Sequence, residues 1–383
     1  MNNIIYLDNA ATTFPKPQSV HMATIECMEN YCGNAGRGSH PLAMMAAEKL
    51  FEAREKVAGL FSSDPTDVVF TYNTTYALNM AIKGVMRSGG HVLISNMEHN
   101  SVLRPVAKLA HEGKISYDVF KLMDKGKALG TKEIISDIIS KLRPDTKMIV
   151  CIHASNICSY VSPIREIGAL CRRHKLLFAV DAAQSAGHLP ISMPDDNVDI
   201  LCLPSHKGLY SPQGCGIMLL SRGLSIDTLI EGGNGVNSLE ASMGNVSPER
   251  YEGGTLCIPS IAGLCAGIDF INQMGIDAIA EHEKKLYCKA RDALLDMQGI
   301  TVYAPEHEGS VLLFNVDGMD ADTVGGYLSE QGFCLRSGYH CSALAHRALG
   351  TADVGGVRIG LGIFNSENEI DKLLSEINEL TLR

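Results

Sequence analysis

The stretch DAAQSAGHLPISMPDDNVDILCLPSHKGLYSPQG, Asp181 to Gly214, begins with a carboxylate at the end of one apolar run. After the next apolar run it carries a single lysine, Lys207, beside His206. Other polar residues follow other apolar runs: Thr74 and Thr75 after VVFTY, His99 after HVLIS, and Asn156 after MIVCI. A lysine among apolar strands can lose its proton and condense with an aldehyde. A carboxylate can hold a proton on a pyridine nitrogen and keep the ring an electron sink. Hydroxyls and free backbone amides at the start of a helix suit a phosphate, helped by the helix dipole. An imidazole can stack on the ring face. Together these are the requirements of pyridoxal 5'-phosphate, with Asp181 serving the ring nitrogen and Lys207 the aldehyde.

Each residue alone has a plainer reading. A strand-terminal aspartate is more often a helix cap or turn residue. The NTT before a helix is an ordinary N-cap. SHK reads equally as a surface loop, and His99 as a loop histidine. Their joint placement at successive strand ends decides, because parallel α/β sheets bind ligands beyond the carboxyl ends of their strands.

Two more groups stand out. Only a thiolate is a useful sulfur nucleophile. RSGYHCSALAHR surrounds Cys341 with Arg336, His340, His346 and Arg347, a cationic setting unlike the apolar runs around Cys151 and Cys202. Gly338 gives that loop backbone freedom. Arg358 lies inside a strand pattern, GGVRIGLGI, where an unpaired charge is costly.

The elements that must position these residues alternate. Apolar runs at 68–72, 91–95, 148–152, 176–180, 199–203 and 216–221 read as strands, several without alternation, as in a sheet covered on both faces. Helical patterns occupy 42–62, 74–88, 100–113, 131–142 and 163–174, and 123–133 reads as a surface loop. The expected class is α/β, with an open, mostly parallel sheet in the large domain. From 231 to 254 the chain is rich in Gly, Asn and Ser without periodicity, as in a functional or mobile segment. The expected organisation is an N-terminal arm over 1–15 near the site, a large domain over 16–258, and a small α+β domain over 259–383.

The bulk numbers agree. The 383 residues are 45% hydrophobic and 20% charged, as in soluble proteins with a large core. A net charge of -10 without like-charge blocks argues against a nucleic-acid partner. No apolar run approaches the ~18 residues of a membrane span, and no signal peptide is seen, so the expectation is a cytoplasmic protein without a membrane partner. The twelve cysteines read as reduced, buried thiols. None has zinc spacing, and YHC at 339–341 is too compact for a metal site, so no metal is expected.

The motifs YLDNAATTFPKP, NAGRGSH, EHNSV, HASN, VDAAQSAGH, SHKGLYSPQG, RYEGGT, LRSGYHCS and VRIGLGIFNSENEID, in order along nearly the whole chain, resemble the class V aminotransferase group. Within it they resemble cysteine desulfurases and the similar selenocysteine lyases. The resemblance implies the type I fold of pyridoxal phosphate enzymes, with a seven-stranded, mainly parallel sheet. It implies that Lys207 links the cofactor and shuttles the proton. Asp181 would pair with the ring nitrogen, Gln184 and Asn156 bind the ring's phenolic oxygen, and His99 stack on the ring and act in proton transfer. Thr74, Thr75 and His206 would hold the phosphate, and Thr255 that of the other subunit of a homodimer. Arg358, with Asn156 and Arg336, would bind the substrate carboxylate. Cys341 would attack the sulfur of L-cysteine, leaving alanine and a persulfide for a protein acceptor.

Several positions depart from the group's pattern. Pro204 stands where a small hydroxyl residue is usual, so one phosphate contact is expected to be either lost or taken over by Ser205. Gly360 replaces a serine of Arg-x-Ser, Ser159 a glycine, and Tyr339 the first histidine of one branch's His-His-Cys. The substrate therefore stays open between cysteine and selenocysteine. A C–S lyase, an epimerase, an aminotransferase and a non-catalytic sulfur-carrier scaffold are the other readings.

Overall fold

The computed structural model describes residues 4–36, 38–236 and 238–382; Arg37 of NAGRGSH lies outside them. Strand β1 (Ile5–Tyr6) precedes helices α1 (Gln18–Asn30) and α2 (Pro41–Phe61). Helix α2 starts where the sequence dictates. His40 Nδ1 accepts the Ala43 N–H at 3.3 Å, and Pro41 fills the first position, where no N–H is needed. It ends on Ser62 in the left-handed region, φ 57.

The alternation follows: β2 (Val68–Thr71), α3 (Thr74–Val85), β3 (His91–Ser95), α4 (Asn100–His111), β4 (Ser116–Phe120), a hairpin of β5 (Met123–Asp124) and β6 (Lys127–Ala128), and α5 (Thr131–Lys141). Then come β7 (Thr146–Ile152), α6 (Ile164–His174), β8 (Leu177–Asp181), β9 (Ile200–Pro204) and β10 (Gly216–Leu220). Seven strands form one sheet in the order β2-β10-β9-β8-β7-β3-β4. From β9 to β4 all neighbours are parallel, while β10 runs antiparallel to both β2 and β9. Every residue of β2, β3, β9 and β10 is buried, which explains the apolar runs within them. The sheet is the expected α/β architecture.

Two expectations need correction. β4, SYDVF, is an edge strand whose first four residues are only half-buried, so it carries no apolar run to betray it. The 123–133 stretch is not a plain loop. It contains the β5–β6 hairpin, anchored by the fully buried Met123. Residues 231–254 form no regular element beyond one 3-10 turn, Glu249–Tyr251, among the described residues. Their C-terminal end is fastened by Glu252, which pairs with Arg54 at 2.7 Å and accepts the Phe70 N–H at 2.7 Å.

Helix α7 (Ile258–Met274) packs on α1 and α2 and joins the core around the large sheet, so that core extends past residue 258. Next come α8 (Ile276–Asp296), β11 (Ile300–Tyr303), β12 (Val311–Val316), α9 (Ala321–Glu330), β13 (Phe333–Cys334), β14 (Arg336–Gly338), α10 (Ala343–Leu349), β15 (Gly356–Gly360) and α11 (Glu367–Thr381). β11-β12-β15-β14 form an antiparallel sheet, with a second core between it and α8, α9 and α11. β1 pairs in parallel with β13, so the N-terminal arm is stitched to this smaller unit. No helix among the described residues is long and apolar enough to cross a membrane. All twelve cysteines are free, but not all are buried: Cys32, Cys257 and Cys341 are exposed.

Candidate active site

A cavity of about 230 Å³ opens beyond the carboxyl ends of β7, β8 and β9, facing the first turns of α3 and α4. Of the residues expected there, Thr74, Thr75, His99, Asn156, Asp181, Gln184, His206, Lys207, Arg336 and Arg358 line it. Ser205, Thr255 and Cys341 do not form its wall.

Asp181 is the last residue of β8 and is 2% exposed. Its Oδ1 accepts the Ala183 N–H at 2.9 Å. Among the described residues nothing donates to Oδ2. Burial pushes the carboxyl up to about 6, opposed by the Ala183 N–H and by Lys207. Lys207 follows β9, and its Nζ makes no hydrogen bond or ion pair among the described residues. Burial, and next the charge of Arg358, bring its amine down to about 8. Lys207 keeps some accessible surface because it faces the cavity, yet protein encloses it closely enough for desolvation to dominate.

The opposite end of the cavity is rich in hydroxyls. Thr74 and Thr75 open α3 after Asn73, whose side chain caps the helix by accepting the Tyr76 N–H at 2.9 Å. Thr75 Oγ1 lies 2.7 Å from Ser101 Oγ. His99 caps α4, its Nδ1 accepting the Ser101 N–H at 3.1 Å, so the neutral ring carries its proton on Nε2. His206 Nδ1 lies 3.0 Å from Thr12 Oγ1. Burial, then Lys207, lowers both imidazoles to about 4, so both are neutral at pH 7. Ser205, expected at the phosphate, turns away: its hydroxyl donates to the Cys215 carbonyl at 2.7 Å and closes the β9–β10 connection.

Two amides expected on the ring are engaged by protein. Gln184 Nε2 donates to Ala10 O at 2.9 Å. Asn156 Nδ2 donates to His340 O at 2.9 Å, and its Oδ1 accepts the Ser342 hydroxyl at 2.7 Å. Arg358, in β15, is 1% exposed. Its Nη2 pairs with Asp8 Oδ1 at 2.5 Å and its Nη1 donates to Asn156 O at 2.9 Å, while Nε has no partner among the described residues.

The class-V aminotransferase profile matches residues 5–373. The chain belongs to the class-V aminotransferase family. A probable cysteine desulfurase of Methanothermobacter thermautotrophicus is 33% identical, covering 98% of this chain and 94% of the relative. A cysteine desulfurase of Haloferax volcanii is 29% identical over 98% of this chain and 89% of its own length. The solved apo structure of the Thermococcus onnurineus cysteine desulfurase superposes with a TM-score of 0.90 at 28% identity, covering 99% of this chain and 95% of that one. The fold is therefore the type I fold of the pyridoxal phosphate enzymes in this family.

At the mouth of this class-V cavity, Cys341 is exposed and sits in the left-handed region, φ 57, directly after His340 at φ 50. Arg336 both lines the cavity and donates from Nη2 to Cys341 Sγ at 3.5 Å. Cys341 O accepts the Asn100 N–H at 2.7 Å, tying the loop to the first turn of α4. His340 and His346 stack, with ring centroids 5.5 Å apart, and burial lowers them to about 3 and about 4. These histidines are therefore neutral packing groups. Among the described residues, Arg336 is the cation hydrogen-bonded to the sulfur, while Arg347 is exposed on α10. Thr255 is exposed and accepts from Asn34 Nδ2 at 3.4 Å.

Sequence reading missed three groups. Ser101 links Thr75 to His99. Ser342 fixes Asn156. Glu98, fully buried, accepts the Ile152 N–H at 2.7 Å on Oε1, while its Oε2 has no partner among the described residues. Burial, reinforced by Asp181, pushes Glu98 up to about 8. Glu98 and Ser101 both lie in EHNSV, so proximity to His99 was the available clue.

Proposed function

We propose that this chain is a pyridoxal phosphate-dependent cysteine desulfurase, converting L-cysteine to L-alanine with a persulfide on Cys341. One observation carries the reading: the carboxylate of the buried Asp181 and the amine of the half-buried Lys207, with Oδ2 and Nζ left without partners among the described residues, face one cavity whose mouth holds a thiol within reach of an arginine. Unpartnered buried polar groups are costly, so these fit a group that completes their hydrogen bonds.

The residues fit pyridoxal phosphate. Asp181 would hold its ring nitrogen, Lys207 its aldehyde carbon, and Thr74, Thr75 and His206 its phosphate at the dipole end of α3. When bound, the cofactor supplies a carbonyl for the substrate amine and a protonated ring that draws electrons from the substrate carbon. Lys207, with its pKa near 8, carries a usable fraction of free amine at neutral pH and can take and return a proton. His99, neutral and protonated on Nε2, offers a donor towards the cavity. Arg358 and Arg336 would bind the substrate carboxylate. Cys341 Sγ forms the S–S bond as the substrate Cβ–S bond breaks, and the carbon gains a proton to become the methyl of alanine. L-cysteine and a thiol thus become L-alanine and a persulfide, with atoms and electrons balanced.

Thr255 would serve the phosphate of the other subunit of a homodimer. The exposed Met22, Ile25 and Met28 of α1 and Leu42, Met45 and Phe51 of α2 support a second copy on this face. The exposed Cys341 supports handing sulfur to a protein acceptor. The domains would divide the work, with the large unit holding the cofactor and the smaller one carrying the thiol.

The test is product analysis with L-cysteine. Alanine and protein-bound sulfane sulfur in equal amounts are expected. Pyruvate with free sulfide, or no turnover of cysteine beside rapid turnover of selenocysteine, overturns the reading.

A further inference from the structure

We propose that Asp8 is a specificity-determining residue, a built-in carboxylate that occupies Arg358 and with which a substrate carboxylate must compete. The inference rests on the reading of Arg358 as the substrate-carboxylate group.

The device begins with two glycines. A Cβ at residue 360 would lie 2.8 Å from Ala10 N and 3.1 Å from Asn9 N, and one at 362 would lie 2.9 Å from Asn9 Cγ. Without those side chains, the N-terminal arm seats directly on β15. Gly360 N–H donates to Leu7 O at 2.7 Å, Asn9 N–H donates to Gly360 O at 3.1 Å, and Asp8 bridges to Gly360 in parallel register. Asn9 Nδ2 adds bonds to Gly360 O and Asn365 Oδ1, both at 3.0 Å. This seating delivers the Asp8 carboxylate to Arg358 at 2.5 Å.

A buried guanidinium without a counter-charge is expensive. Asp8, one-fifth exposed, supplies that charge at the cavity. An incoming carboxylate then meets a cation already neutralised. Whether it displaces Asp8 or shares the guanidinium, the two anions oppose each other. Arg336, with no ion pair among the described residues, is the second cation on the wall and can share the incoming anion. Asp8 therefore weakens carboxylate binding and lets the product leave.

Asp8→Asn tests this. It keeps the shape and a carbonyl that can accept from Arg358, but removes the charge. Holoenzyme is titrated calorimetrically with L-alanine and with ethylamine, which has no carboxylate. The Kd of L-alanine should fall about fivefold to tenfold in D8N, within the usual range of site-to-site coupling, and that of ethylamine should not change. Gly360→Ala displaces the arm by a different route and should shift alanine in the same direction. The double variant should gain less than the product of the two, because both act on one contact. With L-cysteine, D8N should lower KM without raising kcat. An alanine Kd that is unchanged, raised or unmeasurable in D8N overturns the proposal. If the parent fails to desulfurate cysteine while D8N still tightens alanine, the function falls and the role of Asp8 stands.

Discussion

The inner wall of the cavity and its mouth are built on opposite principles. On the wall, Asp181, Lys207, His99 and His206 stand at strand ends and helix starts, and desolvation drives each towards its neutral form. At the mouth, Cys341 is exposed, and its distinguishing feature is geometry: two consecutive non-glycine residues in the left-handed region, at about 1 kcal/mol each. That cost is offset by the Asn100 N–H on Cys341 O and the Asn156 amide on His340 O. The wall stores electrostatics and the mouth stores shape, as expected if one binds a reactive group and the other carries sulfur outward.

The sharpest way to break this contrast is to remove one group from each side. Lys207→Ala should abolish both turnover and the yellow absorbance of covalently held cofactor. A variant that kept its colour would show that the wall does not hold the cofactor through this amine. Cys341→Ala should keep the colour and lose alanine formation from cysteine about a thousandfold or more, an effect seen only in the chemistry. Were C341A also to lose cofactor, measured by phosphate release on denaturation, the two regions would not be separable. Arg336→Gln should be milder, slowing persulfide formation about tenfold in single-turnover trapping while cofactor content stays at parent level.

Legibility from the sequence follows the same division. The wall was readable because strands buried on both faces announce themselves as apolar runs, and polar residues at their ends are conspicuous. Asp181 and Lys207 stood out through their joint placement past successive strands, not singly. The edge strand β4 was invisible for the converse reason: Ser116 and Asp118 interrupt the half-buried Tyr117 and Val119, so no apolar run forms. Pair geometry was also out of reach. Nothing in Arg358-Ile359-Gly360 announces that the missing side chain admits Asp8 from 350 residues away. Likewise Ser205 looked like a substitute hydroxyl, but a backbone carbonyl of β10's approach claims it. The cysteine loop was readable in composition and not in mechanism, since burial neutralises the two histidines that seemed to charge it.

The smallest expected effect probes Glu98, fully buried behind the wall. Its carboxyl rises from 4.5 unfolded to about 8 folded, so between those values the native chain binds more protons than the unfolded one. The stabilising contribution is then fully present below pH 4.5 and is lost as pH rises through 8. Asp181 acts with the same sign over 3.8 to about 6 in the cofactor-free protein. Lys207, lowered from 10.5 to about 8, acts in the opposite way: its contribution is present above 10.5 and lost as pH falls through 8. Glu98→Gln removes only the first of these, and its side-chain carbonyl can still accept the Ile152 N–H. The holoenzyme Tm should therefore fall less from pH 5 to pH 8 in E98Q than in the parent, with the two closest near pH 5. Equal slopes would mean that Glu98 is already ionised inside the protein. The inner wall would then be a set of charges held in place, and its contrast with the mouth would be one of position alone.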